Sequence, residues 1–239
     1  MIRNLNDLLL SKRAILTTDS LMLVLVLTFV SYSGFLGAKE ELPEVTHDGL
    51  HRLHKTKVAL AYQKPEADFS IYHRVLILDC HVAFKKNWQK KQNRERRALS
   101  SRISDKDMER IKRDMADVFR DVFVEELDKV GGYQVVDTPA NDVLLIRPVI
   151  IDLDVTAPDK MEAGRSRTFT SSAGAATLYL ELYDSVSGEI LARAIDRKAG
   201  RSYGHFQWSS RVRNSAEAKR IVRQWANLLR QRLDEMHGK

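Results

Sequence analysis

Two runs of strand-forming residues flank a short turn sequence between residues 175 and 195. The segment reads AATLYLELYDSVSGEILARAI, and its turn residues lie between Asp184 and Gly188. Branched and aromatic residues on both sides of such a turn predict a β-hairpin. We therefore expect a β-sheet at the centre of this chain, and the remaining segments must fit around that sheet.

Three more segments have the composition of strands. Residues 74–84 (RVLILDCHVAF) are typical of a central strand buried on both faces, and residues 133–139 (YQVVDTP) predict a short strand that Pro139 stops. Residues 141–155 (NDVLLIRPVIIDLDV) predict a long strand, in which Pro148 indicates a bulge or an edge because proline has no N–H to donate. Alternation places six of its apolar residues on one face: Val143, Leu145, Val149, Ile151, Leu153 and Val155.

A first amphipathic helix is predicted between the strands at residues 74–84 and 133–139. It follows Ser104 as its N-cap, carries Asp105 and Asp107 in its first turn, and ends at the paired glycines 131 and 132. The residues of its apolar stripe are Met108, Ile111, Met115, Val118, Val122 and Leu127.

A second amphipathic helix closes the chain, with Asn214 and Glu217 as a capping box at its start. The residues of its stripe are Ile221, Val222, Trp225, Leu228, Leu229, Leu233 and Met236. The order of elements predicts an α+β fold: a single mixed or antiparallel sheet with two amphipathic helices packed on one face, plus an extended N-terminal segment.

The N-terminal region has the pattern of a targeting signal. Arg3, Lys12 and Arg13 precede a ten-residue apolar core at residues 21–30, which gives way to small residues. We expect a signal peptide or an uncleaved signal anchor at 1–33, an extended segment over the domain surface at 34–72, and the α+β domain at 73–239. Such a protein is periplasmic or membrane-associated.

Positive charge is concentrated in one segment. Residues 85–97 (KKNWQKKQNRERR) hold seven Lys and Arg and one Glu, which makes +6 of the +7 carried by the whole chain. Cations neutralise phosphates and aromatic rings pack on partners, so this segment is a candidate interaction surface. Its candidate residues are Lys85, Lys86, Trp88, Lys90, Lys91, Arg94, Arg96 and Arg97. Tyr203, Phe206 and Trp208 in SYGHFQW are further candidates, because exposed aromatic residues are enriched at interfaces.

Metal and nucleophile chemistry has little support in the residue spacing. His47, His51 and His54 lie close together, but no thiolate or carboxylate is spaced to complete a site with them. Cys80 is the single cysteine, and its neighbour His81 points to the opposite face of a strand. We expect no metal and no cofactor.

Seven short stretches resemble one bacterial family. They are SGFLG at 33–37, AY at 61–62, ADFSIYHRV at 67–75, VVD at 135–137, DV at 142–143, DSVSGEILA at 184–192 and WANLLRQRLDE at 225–235. As a set they resemble the predicted envelope lipoproteins known as domain of unknown function 3313. The resemblance implies a secreted protein of Gram-negative bacteria with no established enzymatic activity, tethered by a lipidated cysteine. Here no cysteine stands ahead of SGFLG, so the lipobox is missing.

Three functions follow as hypotheses. The first is a non-catalytic envelope protein that binds another envelope component, either an envelope protein or a membrane surface, with self-association into a homo-oligomer left open. The second is binding of anionic lipid or nucleic acid by the basic segment; a secreted protein makes nucleic acid the weaker of these two partners. The third is a carboxylate-based hydrolase or metal enzyme, with Asp79 and His81 on one strand and Asp152 and Asp154 on another, and we rank it last.

Overall fold

A mixed sheet with helices on one face forms the body of the protein. A computed structural model describes residues 42–94, 96, 102–156, 169–172, 174–200, 202–208 and 211–239; at 169–172, 202–208 and 211–213 it describes the backbone alone. The strands are β1 (His51–Arg52), β2 (Leu60–Gln63), β3 (Arg74–Ile77), β4 (His81–Phe84), β5 (Gln134–Val135), β6 (Val143–Asp154), β7 (Phe169–Ser172), β8 (Ala175–Asp184), β9 (Ile190–Ala199) and β10 (Ser202–Trp208). The helices of the described ranges are α1 (Trp88–Arg94), α2 (Asp105–Leu127) and α3 (Arg211–Met236).

The large sheet has the order β1-β2-β9-β8-β6-β3-β5, and β4 also pairs with β6. β6 runs parallel to β3 and β4 and antiparallel to β8, and β8, β9 and β2 continue antiparallel. β7 and β10 form a separate two-stranded ribbon. The α+β class and the mixed sheet expected from the sequence are confirmed.

The predicted hairpin is formed by β8 and β9. Its turn is held locally, because Asp184 Oδ1 accepts hydrogen bonds from the Val186 N–H (3.0 Å) and the Ser187 N–H (2.6 Å). Gly188 closes the turn at φ +70°, a backbone conformation that glycine adopts without steric cost. Local chemistry alone therefore determines where this chain reverses.

The single central strand expected at 74–84 is wrong. The segment is divided into β3 and β4, which lie side by side with the two halves of β6 rather than at the centre of the sheet. The Leu78 N–H donates to the Ile146 carbonyl (2.9 Å), so the backbone groups of Ile146 face β3. Backbone groups alternate in direction along a strand, so those of Pro148, two residues later, face the same neighbouring segment. Pro148 has no N–H to offer there, so the break between β3 and β4 lies opposite it.

The structure also corrects which apolar residues of the long strand β6 share a face. Leu144, Ile146 and Ile150 are fully buried and face the helices, whereas Ile151 is 36% exposed on the other side. A bulge at Asp152, where φ is +52°, shifts the register of β6 against β8. The alternation therefore reverses at that point, and Leu153 is again buried.

Helices α2 and α3 pack on each other and on one face of the sheet, as predicted. One apolar cluster contains Phe119 and Val122 of α2, Val222 and Trp225 of α3, and Ile150 of β6. Arg223 of α3 joins the helices through ion pairs with two carboxylates of α2, Glu125 (3.0 Å) and Glu126 (2.8 Å).

The start of α2 was predicted correctly from the sequence, whereas the start of α3 was not. Ser104 caps α2 as predicted, in a capping box with Asp107. The box expected at Asn214 and Glu217 is wrong, because α3 already begins at Arg211. Asn214 instead donates its side-chain N–H to the Thr156 carbonyl at 2.8 Å and so attaches the helix to the end of β6.

Part of the segment expected to lie extended over the surface is built into the sheet. β2 pairs with β9 over four residues and β1 pairs with β2, so residues 51–63 form one edge of the sheet. Pro43–Lys239 is one compact unit. None of the helices in the described ranges combines the length and apolar composition needed to cross a membrane. The signal expected at 1–33 lies outside the described residues.

Candidate functional site: a basic platform after strand β4

The basic segment forms a short helix that is attached to the sheet by its tryptophan. Trp88 is only 2% exposed, its Nε1–H donates to the Val155 carbonyl at 2.8 Å, and its ring stacks on Phe84 at 4.1 Å between centroids. The sequence predicts Trp88 to be part of an interaction surface. The structure corrects this, because the ring is used to dock α1 onto the end of β6.

A second set of contacts fixes α1 against the start of α2. Asn93 donates to the Ile103 carbonyl (2.9 Å) and accepts from the Ile103 N–H (2.7 Å). Gln89 donates to the Asp105 carboxylate at 2.9 Å. The polar residues between the cations therefore hold the helix in place, while the cations themselves are left on the outside.

We define the basic platform as the exposed cations of residues 85–94, namely Lys85, Lys86, Lys90, Lys91 and Arg94. Lys85 pairs with Asp154 at 3.2 Å, in a contact where both side chains are partly exposed. Within the described ranges the other four cations have no ion-pair partner. No carboxylate of the described ranges neutralises their charge, which makes the platform a positive surface.

The remaining candidate residues are less completely defined. Arg96 is half-buried, and Arg97 lies outside the described residues. Tyr203, Phe206 and Trp208 belong to β10, whose backbone alone is described. Their role at an interface stays a prediction.

A polar cluster that sequence patterns did not reveal lies on the sheet face opposite the helices. Glu181 of β8 accepts hydrogen bonds from the Tyr183 hydroxyl (2.7 Å) and from Arg193 Nη2 (2.8 Å), and Arg193 also reaches Asp48 at 2.5 Å. Burial alone would raise the pKa of Glu181, but these bonds outweigh it and lower the pKa. Glu181, Tyr183 and Arg193 belong to one hairpin, but Asp48 lies far from them in sequence, so the tertiary structure was needed to reveal this set, which we call the charge ladder.

The carboxylates considered for catalysis do not converge. Asp79 lies in the break between β3 and β4, and His81 is in register with Val149, three residues before Asp152. Asp154 is bound to Lys85. Across the described part of the chain no three His, Cys, Asp or Glu side chains come together as metal ligands do.

The single thiol is also poorly suited to react. Burial raises the pKa of Cys80 to about 12, although a hydrogen bond from the Ile150 N–H lowers it in part. The thiol is therefore neutral at physiological pH, and a neutral thiol is a weak nucleophile.

Comparison with known families agrees with the resemblance drawn from the sequence. The fold and the platform describe an α+β domain with a mixed sheet, two long helices on one face and a basic surface helix. Residues 31–229 match the family model described as "Protein of unknown function (DUF3313)", and the chain belongs to this family. No curated protein matches the chain.

Two solved structures are similar in part. One is the PelC dodecamer from Paraburkholderia phytofirmans, at 8% identity and a TM-score of 0.36, over 71% of this chain and 98% of that one. The other is protein XCC0632 from Xanthomonas campestris, of the DUF330 family model, at 12% identity and a TM-score of 0.36, over 70% of this chain and 88% of that one.

Proposed function

We propose that this protein is a non-catalytic binding protein of the Gram-negative cell envelope, and that its basic platform docks on an anionic membrane surface. One observation carries the proposal: four exposed cations without ion-pair partners in the described ranges lie on α1 or directly before it, and α1 is fixed at both ends. The signal pattern at residues 1–33 supports an exported location, where phosphate-bearing lipid headgroups are present.

The expected affinity of the platform for an anionic membrane is modest and decreases with added salt. Each Lys or Arg close to an anionic bilayer contributes about 1 kcal/mol, so the platform supplies a few kcal/mol. Physiological salt screens such attraction beyond about 8 Å, so the cations must approach the headgroups closely. The docking of α1 supports this, because Trp88 and Asn93 hold the cations on the outer side of the helix.

The position of Trp88 favours a lipid surface over nucleic acid. Proteins that bind single strands stack bases on exposed aromatic rings. The Trp88 ring is covered by Phe84 and the end of β6, so the platform offers charge without a stacking ring at that residue.

The test compares two double variants of the full chain. Lys90→Glu with Lys91→Glu reverses two platform charges, whereas Arg113→Glu with Lys219→Glu reverses two exposed cations on α2 and α3. Co-sedimentation with phosphatidylcholine vesicles, with and without phosphatidylglycerol, reports the charge-dependent part of binding. The N-terminal apolar run is the same in all variants, so differences between them arise from the charges.

We expect the platform variant to lose at least roughly 30-fold in affinity for the anionic vesicles, since two cations at about 1 kcal/mol each are removed and two negative charges are added. The control should stay within about threefold of wild type. Equal losses in both variants, or none in the platform variant, would show that the platform is not the docking surface. Tighter binding to an oligonucleotide than to the vesicles would replace lipid by nucleic acid as the partner.

A further inference from the structure

An apolar groove lies between helix α3 and strands β2, β8 and β9. Its volume is about 360 Å³, within the range of about 300–1,000 Å³ that small-molecule sites occupy. Strands β8 and β6 separate β9 from β4, so the groove and the basic platform lie over different parts of the sheet. The groove is therefore a second feature, independent of the proposed function.

Short side chains on two strands create the space. The strand register aligns Leu180 of β8 with Ala194 of β9 and Ala61 of β2, and aligns Leu182 with Ala192. The leucines of β8 fill their part of the layer under α3, but the shorter alanines of β2 and β9 leave the neighbouring part unfilled. The side of the helix that faces this gap carries Leu228, Leu229 and Met236, so both walls are apolar.

The floor of the groove is closed by a buried carboxylate whose bonds are satisfied. Asp196 accepts from Trp225 Nε1 (2.9 Å) and from the Ala59 N–H (3.0 Å), and it pairs with Lys198 at 2.9 Å. These contacts join α3, β9 and the loop before β2. Because the carboxylate is fully engaged, it does not present a free negative charge to a ligand.

The mouth of the groove is positive. Lys55, Lys57 and Arg232 line it together with a single carboxylate near them, Glu235. Lys57 and Arg232 each contact Glu235 at 3.3 Å, so one carboxylate is shared between two cations. Lys55 is exposed and has no hydrogen-bond or ion-pair partner among the residues that the structure describes. An anion at the mouth would therefore be attracted by uncompensated charge.

We infer that this groove binds a single-chain amphiphile of the fatty-acid type, with its acyl chain between α3 and the alanines of β2 and β9 and its carboxylate beside Lys55 and Arg232. The apolar walls match the chain, and the positive mouth matches an anionic head group.

The test uses dodecanoate as the probe, titrated calorimetrically below its micelle-forming concentration into the full chain. Ala194→Leu fills the groove from its wall, and Lys55→Glu reverses the charge at its mouth. Matched controls are Ala199→Leu, at the exposed end of the same strand, and Lys219→Glu on α3. Dodecanol and dodecyltrimethylammonium test the contribution of the head group with the same chain.

We expect saturable binding of dodecanoate that falls at least about tenfold in Ala194→Leu and about tenfold in Lys55→Glu, with both controls close to wild type. The dodecyltrimethylammonium cation should bind more weakly than dodecanoate. Lys55 is exposed, so its variant stays folded even where Ala194→Leu does not. Binding that neither variant reduces would place the probe elsewhere on the chain, and absence of saturable binding would overturn the inference directly.

Discussion

The charge ladder on the helix-free face of the sheet shows how single residues join distant segments. Glu181 accepts from two tyrosines and from Arg193, and Arg193 continues the ladder to Asp48. Glu181 is 5% exposed, so its charge is stabilised by these partners rather than by water. Removing one partner of such a buried group lowers the free energy of unfolding far more than removing a surface ion pair does.

We predict that Glu181→Gln lowers the free energy of unfolding by about 3 kcal/mol, because the substitution leaves Arg193 buried with less than its full compensation. Urea denaturation monitored by circular dichroism measures the change. Glu189→Gln is the control, since Glu189 pairs with Lys64 at the exposed end of the same hairpin, and it should change stability by less than about 0.5 kcal/mol. A loss no greater than that of the control would mean that the ladder is not a stabilising network.

Helix α2 shows the strength of local signals at the scale of an element. The Ser104 hydroxyl accepts from the Asp107 N–H (3.3 Å), and the Asp107 carboxylate accepts from the Ser104 N–H (2.9 Å). Two N–H groups at the helix start are thereby satisfied within four residues of chain. The helix then places Phe119 and Phe123 in the core, with stacked rings at 3.9 Å between centroids.

We predict that Ser104→Ala lowers the stability of the protein by about 1 kcal/mol, because the first turn of α2 loses its side-chain acceptor. Thermal and urea unfolding both report this change. Ser215→Ala serves as a control, because Ser215 lies inside α3 and alanine is favoured at such a position, so stability should be unchanged or slightly higher. If the two variants lose equal stability, the cap contributes nothing specific.

At the scale of the whole molecule, carboxylates with lowered pKa join segments that are remote in sequence. Burial tends to raise the pKa of Asp48, but hydrogen bonds from Arg193 and Thr46 outweigh it and lower the pKa to about 2. The pKa of Glu126 is lowered in the same way by Lys129 and Arg223, against the effect of its burial. These groups join the N-terminal segment to β9 and α2 to α3, respectively.

The sign of the pH dependence follows from these shifts. A carboxylate with a lower pKa in the folded state stabilises the fold above its unfolded pKa, and this contribution is lost as the pH falls toward the folded pKa. For Asp48 this loss of stability occurs as the pH falls from 3.8 to about 2. We predict that the unfolding free energy decreases steadily below about pH 4, and that Asp48→Asn flattens this decrease. Urea unfolding at several pH values between 2 and 7 measures both slopes; equal slopes for wild type and variant would contradict the assignment.

The sequence by itself determined the features that depend on near neighbours in the chain. The turn from Asp184 to Gly188, the N-cap at Ser104 and most of the apolar stripes of α2 and α3 could be predicted, because their interactions span a few residues; the buried Phe119 and Phe123 of α2 were not among the predicted stripe residues. The concentration of cations in residues 85–97 was equally visible. Such features need no knowledge of which strands pair.

Only the tertiary structure decided the features that depend on strand register and packing. The gap opposite Pro148 divides a continuous apolar run into β3 and β4, and the bulge at Asp152 reverses which residues of β6 are buried. Trp88 is covered because β4 and β6 end beside it, and the alanines of β2 and β9 leave a groove because they are aligned beneath α3. These outcomes require contacts between residues remote in sequence, which local propensity does not encode.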